Sequence, residues 1–355
     1  MPIELPETLN VLLLSPLTDA EIKRVRAVAP SRLNIVPAWG ESRPLRHGGA
    51  NHEADGSPSR GSRSLEALDE MVRTAHVMYM ATPLHKTLPS LARDLIWGHF
   101  NFAGVSNLKG TQWWESPLLL TSSRGFNHPL PLAESVMAAI FTFSRGFDIA
   151  VRQTDAHDYS TAAYRGLRLV SGKTLGIVGL GGIGSHLAQI ARGCGMRVVA
   201  NRRSAGERRE GVEGVDVLYP ASGLHALLAE SDFVAVCAMW TPETEGMFDR
   251  AAFRAMKPGA YLINVARGEL IVEDALIEAL ESGRLAGAHL DVWHDSFNRP
   301  PSDRLQAAPN VIFTPHTSNI ADSNQAFSLD LFCDNLARLL EGEPLVNVID
   351  WQRGY

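Results

Sequence analysis

In the run Gly179-Leu-Gly181-Gly-Ile-Gly184, glycine recurs at the spacing with which a turn of backbone can cradle a pyrophosphate. The first glycine permits a tight turn, and the second lets a phosphate approach the main chain. The third lets the following helix pack closely on the preceding strand, and that helix, starting around Gly182 and Ile183, attracts negative charge to its N-terminus. Taken alone, the pattern fits an ordinary glycine turn that binds nothing. Its flanks favour the nucleotide reading. Thr174-Leu-Gly-Ile-Val178 is apolar as a strand, an amphipathic run continues to Cys194, and Arg197-Val-Val-Ala200 supplies the next strand within a unit of about 30 residues.

The end of that second strand selects the cofactor. A carboxylate there would hold the ribose 2′-hydroxyl of NAD. This chain has Asn201-Arg202-Arg203-Ser204 instead, two guanidinium groups and a hydroxyl suited to a 2′-phosphate. NADP is the expected cofactor, with NAD as the alternative. Glu207, Arg208, Arg209 and Glu210 follow directly, so the competing reading is a solvated basic turn.

Three further residues stand just beyond apolar, strand-like runs. Arg267 closes Asn264-Val-Ala-Arg, Asp291 closes Gly287-Ala-His-Leu-Asp, and His316 closes Thr314-Pro-His. Ligands of open α/β sheets bind outside the carboxyl ends of the strands. One cation, one carboxylate and one imidazole are therefore expected on one rim, although each alone has an ordinary structural explanation.

The elements that must carry these residues follow from periodicity. Leu9–Leu14 and His76–Met80 read as strands, and Ala20–Val28 and Leu65–Thr74 as helices. Strand-like runs recur at Phe233–Cys237, Ala260–Asn264, Gly287–Asp291 and Asn310–Thr314, with helical runs between several of them. That rhythm predicts an α/β fold with a doubly wound parallel sheet. Pro131–Phe147 reads as a long helix with apolar residues, Met137, Ile140, Phe141 and Phe143 among them, around too much of its circumference for a one-sided surface helix. It is expected to be sandwiched, between subunits of a homodimer in the fuller reading.

Composition bounds the rest. The chain has 355 residues, 45% hydrophobic and 20% charged, which suits two domains with sizeable cores. A net charge of -6 argues against a nucleic-acid partner or an anionic membrane surface. No basic segment leads into an apolar core at the N-terminus and no apolar run would span a bilayer, so the expected location is cytoplasmic. Cys194, Cys237 and Cys333 follow no ligand spacing; buried thiols are expected, and no metal site. Residues 39–64, rich in Gly, Ser, Arg, His and Pro, are expected to form a long surface loop.

Together the fingerprint Gly179–Gly184, Met256-Lys-Pro-Gly259, Leu262-Ile-Asn-Val-Ala-Arg-Gly268, Gly287-Ala-His-Leu-Asp-Val292 and Thr314-Pro-His316 resemble the D-isomer-specific 2-hydroxyacid dehydrogenase family, glyoxylate/hydroxypyruvate reductases included. The similarity is dense from Gly172 to His316 and sparser before it, where Phe102-Ala-Gly-Val-Ser106 is similar to the family's substrate loop and Leu132-Ala-Glu134 to the start of its interdomain helix. The resemblance implies a Rossmann domain, residues 128–317, inserted into a smaller flavodoxin-like substrate domain of residues 1–127 and 318–355. It also implies roles. His316 is the acid/base and Arg267 binds the substrate carboxylate and polarises the carbonyl. Backbone N–H groups of Ala103, Gly104 and Val105 hold the other carboxylate oxygen. Ala266 lies with the cofactor, Asp291 holds the nicotinamide carboxamide, and domain closure excludes water.

One departure is visible. The glutamate that pairs with the histidine in many relatives is replaced by Ser296 in Asp291-Val-Trp-His-Asp-Ser-Phe297, with Asp295 one position away. Without that acid the imidazole is expected to have a lowered pKa. The expected activity is NADP(H)-dependent interconversion of a 2-oxo acid and a D-2-hydroxy acid, working mainly as a reductase. The alternative is a dinucleotide-sensing scaffold resembling the family's corepressor-like members. Trp113, Trp114 and Trp293 are candidates for a pocket wall, against the ordinary reading of core aromatics.

Overall fold

The computed structural model describes residues 4–38, 65–81, 88–114, 116–124, 129–322 and 324–352. Both the segment 39–64 and Asn127, where the first domain crossing was expected, lie outside them. The chain divides into two compact units, Met1–His128 with Ile320–Tyr355, and Pro129–Asn319.

In the first unit the strands are β1 (Leu9–Leu13), β2 (Leu33–Pro37), β3 (Val77–Met80), β4 (Trp97–Phe100) and β5 (Leu120–Ser122). They form one parallel sheet in the order β2-β1-β3-β4-β5, the flavodoxin-like arrangement. Alternation along β3 explains its unbroken apolar run. Val77 and Tyr79 enter one core cluster, and Met78 and Met80 enter another, so both faces of the strand are buried. Trp113 is fully buried and packs edge-on to Phe100, which assigns it to the core rather than to a pocket wall.

The second unit holds β6 (Thr174–Val178), β7 (Arg197–Arg202), β8 (Arg209–Val212), β9 (Val215–Pro220), β10 (Phe233–Val236), β11 (Ala260–Asn264), β12 (Leu285–Leu290) and β13 (Val311–Phe313). Their order is β13-β12-β11-β10-β6-β7-β9-β8, all parallel apart from the edge pair β8–β9. Chain order reverses between β6 and β10, the switch point of a doubly wound sheet. Residues of β10 alternate between its two cores, Phe233 and Ala235 to one and Val234 and Val236 to the other.

Within this unit Pro129–Arg145 is a helix that buries Val136, Met137, Ile140 and Phe143. It ends at Gly146, whose φ of 70° is readily available only to glycine, and a second helix, Phe147–Asp155, begins there. Phe147 and Val151 on that second helix are each 62% exposed, as an unpartnered apolar face would be. Among the described residues no helix is long and apolar enough to cross a membrane. The three cysteines are free and only partly buried, less than expected, because each lies at the end of an element or on a partly open helix face.

Candidate active site

Strand register gathers the predicted residues of the second unit. Pairings Asn201–Val178, Val178–Val236, Val236–Asn264, Asn264–Leu290 and Leu290–Phe313 form one row across the sheet. Gly179, Arg202, Arg267, Asp291 and His316 all stand at or just past that row, on the carboxyl rim.

At β6 the glycines divide their work as the fingerprint requires. Gly179 has φ 102°, and a Cβ on it would lie 2.7 Å from the backbone of Ala238, where the end of β10 passes. A Cβ on Gly184 would lie 2.6 Å from the Gly179 carbonyl oxygen, so helix Gly182–Gly193 sits tight on the turn. Gly181 differs, since a side chain there would meet nothing within 4 Å. Open space in front of Gly181, facing a helix whose first amides have no carbonyl partner within the helix, fits a dinucleotide pyrophosphate. Gly182 and Ile183 contribute those amides.

Asn201, an expected cofactor contact, braces the glycine turn. Its buried Oδ1 accepts from the Gly179 N–H at 2.9 Å and so fixes the turn from the neighbouring strand. Arg202 pairs with Glu213 at the tip of the β8–β9 hairpin, which also receives Arg209 at 3.5 Å. Arg203 and Ser204 are exposed beyond the strand end.

The Arg267 turn is built by Asn264, a fully buried residue that the sequence reading passed over. Its Oδ1 accepts from the Ala266 N–H at 3.0 Å and its Nδ2 donates to the Arg267 carbonyl at 2.9 Å. Ala266 is buried, and its carbonyl accepts from Arg267 Nη1 at 2.8 Å. Gly268 is forced by packing, because a Cβ there would lie 1.9 Å from the Trp293 carbonyl carbon. Segment 293–297 thus rests directly on the Arg267 turn, and Glu269 Oε1 accepts from the Asp295 N–H at 3.2 Å to hold it there. Burial pulls the Arg267 pKa below its ordinary value, and the charge of Glu269 opposes that shift.

Asp291 is 2% exposed, and its carboxylate is engaged chiefly through Oδ1 by the loop that follows β13. Oδ1 accepts from Thr314 Oγ1 at 2.6 Å, the Thr317 N–H at 2.9 Å and the Ser318 N–H at 3.1 Å. Its own carbonyl accepts from the His316 N–H at 2.9 Å. Asp291 therefore shapes the loop that presents the imidazole, a task not legible from its strand-end position. His316 sits in the left-handed region at φ 56°, a conformation these bonds hold in place.

Around the imidazole the surroundings are apolar and cationic. The Phe297 ring lies 4.6 Å from the His316 ring, centroid to centroid, and the Arg267 guanidinium carbon lies 5.9 Å from the Phe297 centroid. His316 Nδ1 is buried and has no hydrogen-bond partner among the described residues. Its pKa falls to about 4, through burial first and the Arg267 charge second, with Asp291 opposing. Asp295 does not supply the missing acid. Asn298 and Arg299 Nε, at 2.8 Å, hold its carboxylate and keep it below the usual carboxylate range.

In the first unit, Ala103 and Gly104 are partly buried, and Val105 is wholly buried, its carbonyl accepting from the Leu108 N–H at 3.0 Å. The loop is held at its root where the Ser123 N–H donates to the Phe102 carbonyl at 3.1 Å. Trp293 is fixed by its Nε1 donating to the Arg299 carbonyl at 2.7 Å and by packing on Phe313. Among the described residues no cluster could hold a metal ion.

A doubly wound sheet with a glycine turn at its switch point defines a dinucleotide-binding α/β protein. Residues 137–318 match the family described as D-isomer specific 2-hydroxyacid dehydrogenase, NAD binding domain. A Staphylococcus aureus (strain MRSA252) protein carrying a 2-hydroxyacid dehydrogenase name is 39% identical over 252 residues, 69% of this chain and 76% of that protein. A Staphylococcus saprophyticus protein of the same name is 34% identical, over 60% of this chain and 66% of that protein. The solved structure of a D-isomer specific 2-hydroxyacid dehydrogenase family protein from Aeromonas salmonicida superposes with TM-score 0.77 at 28% identity, covering 97% of this chain and 99% of that one. An NADPH-dependent glyoxylate/hydroxypyruvate reductase from Sinorhizobium meliloti, at 24% identity and TM-score 0.74 over 98% and 100%, shares the fold. The chain belongs to the D-isomer specific 2-hydroxyacid dehydrogenase family. Membership brings a nicotinamide dinucleotide cofactor and 2-hydroxyacid dehydrogenase chemistry.

Proposed function

We propose that the protein reduces a 2-oxo acid to the D-2-hydroxy acid with NADP(H) as its preferred dinucleotide. The observation that carries this reading is the gathering of Arg267 and His316 about one ring, Phe297, on the carboxyl rim of the sheet. A reduced dinucleotide, when bound, supplies the hydride to C2. Arg267 binds the carboxylate and polarises the carbonyl, charge-assisted on both counts. His316 delivers the proton to the carbonyl oxygen and takes it back in oxidation, through Nε2, since Nδ1 is enclosed. Asp291 and Asn264 hold these groups in place from beneath. A spectrophotometric panel of 2-oxo acids with NADPH and with NADH tests the reading. Oxidation of NADPH by one or more acids is expected; tight dinucleotide binding without turnover anywhere on the panel would favour the scaffold alternative.

NADP preference rests on Arg202, Arg203 and Ser204 standing at the strand end where a carboxylate would favour NAD. In the absence of phosphate, Arg202 is neutralised by Glu213. A 2′-phosphate would replace that exposed pair, which is worth little in water. Arg202→Asp is expected to lower the NADPH-over-NADH ratio of kcat/KM by about 10-fold or more, on the scale of a lost charge-assisted contact. An unchanged ratio would remove Arg202 from the cofactor site.

The protein is further proposed to act as a homodimer through the exposed apolar side chains of Phe141, Phe147 and Val151. Sedimentation at micromolar concentration is expected to give twice the chain mass; a monomer at all concentrations would refute it.

A further inference from the structure

We propose that Phe297 determines substrate specificity, forming an apolar wall that selects 2-oxo acids with an aryl or similarly bulky apolar group on C2. The inference rests on the function proposed above, because it takes Arg267 and His316 as the groups that hold the carboxylate and the carbonyl oxygen.

Geometry leads to the wall. A 2-oxo acid held at both points has its C2 substituent close to whatever spans them, and the Phe297 ring spans them, 4.6 Å from the imidazole and 5.9 Å from the guanidinium carbon. The ring is 50% exposed, so one part packs on the site and the other is left to a ligand. Its position is built rather than loose. Gly268 seats the Trp293–His294 backbone directly, Glu269 holds the Asp295 N–H, and the Ser296 N–H donates to the Trp293 carbonyl at 3.0 Å. Asp295, at φ 59°, turns the chain and is itself tied by Asn298 and Arg299. This loop therefore offers a flat apolar surface next to a carboxylate-binding cation. A substrate with hydrogen or a hydroxymethyl group on C2 would leave that surface wet, whereas a phenyl group would cover it by offset or edge-on stacking.

The test compares kcat/KM for phenylglyoxylate and phenylpyruvate with that for glyoxylate, in the wild type and in Phe297→Ala and Phe297→Leu. Thermal melting and dinucleotide fluorescence titration check that each variant is folded and loaded. The wild type is expected to favour an aryl acid over glyoxylate by tenfold or more. Phe297→Ala is expected to cut that preference about 10- to 30-fold, the scale of half a phenyl ring removed from contact, and Phe297→Leu is expected to cut it less. Glyoxylate used as well as the aryl acids, or a preference that Phe297→Ala leaves intact, overturns the inference while the proposed function stands. If none of the acids is reduced with either dinucleotide, both fall together.

Discussion

Replacing His316 with alanine is expected to lower kcat for 2-oxo acid reduction by about 10²- to 10⁴-fold, the range for loss of a positioned general acid. The fold should survive the change. The loop is held through the His316 main-chain N–H, which donates to Asp291, and through Thr314, Thr317 and Ser318, none of which needs the imidazole. The backbone strain at φ 56° is borne by histidine and alanine alike, so the melting temperature should change little. Dinucleotide affinity, measured by fluorescence titration, should be nearly constant. Activity retained within threefold would remove His316 from the chemistry.

The same residue sets the pH dependence. In the free enzyme its pKa is about 4, so the imidazole is neutral at pH 7 and poised to accept a proton. Reduction needs the protonated form, and kcat/KM for reduction should fall as pH rises above about 4. Oxidation needs the neutral form and should rise over the same interval, then level off. A bound carboxylate offsets the Arg267 charge that helps depress this pKa, so in the substrate complex the pKa moves upward. The kcat profile for reduction is therefore expected to fall at higher pH than the kcat/KM profile. Superimposable profiles would mean that Arg267 and His316 do not share a ligand.

Much of this architecture was legible because its signals are local. Period-two burial on both faces gives the continuous apolar runs of β6 and β10. The glycine spacing names its own backbone constraints, and each strand end fixes which rim receives Arg267, Asp291 and His316. Contacts made across loops carry no such mark. Nothing in the spacing tells that Asn201 turns its amide back to Gly179, that Asn264 builds the Arg267 turn, or that Asp291 spends its carboxylate on residues 314–318. The loss of the acid partner at Ser296 was visible, and a lowered histidine pKa was expected from it. Its leading cause, burial, and the aromatic neighbour Phe297 depend on how segment 293–297 folds onto Gly268. Trp113 illustrates the reverse case, an aromatic whose pocket reading ends once it is found wholly enclosed.

Arg267→Met tests the other half of the site and is expected to lower kcat/KM for 2-oxo acids by about 10²- to 10³-fold, comparable to removing one preorganised oxyanion donor. Methionine keeps much of the aliphatic volume beneath Phe297 and leaves the turn to Asn264, whose bonds are to main chain only. Glu269 loses the charge it faces, but its bond to the Asp295 N–H remains. Two effects then separate a catalytic loss from a merely structural one. KM should rise because the carboxylate loses its cation, while the free-enzyme His316 pKa should move up from about 4, since one of the two causes depressing it is gone. A variant that binds substrate poorly yet carries its pH limb to higher pH is the expected signature, and it requires the guanidinium and the imidazole to sense one another. Arg267→Lys should restore the low pKa but only part of the affinity, because an ammonium supplies the charge without the planar fork.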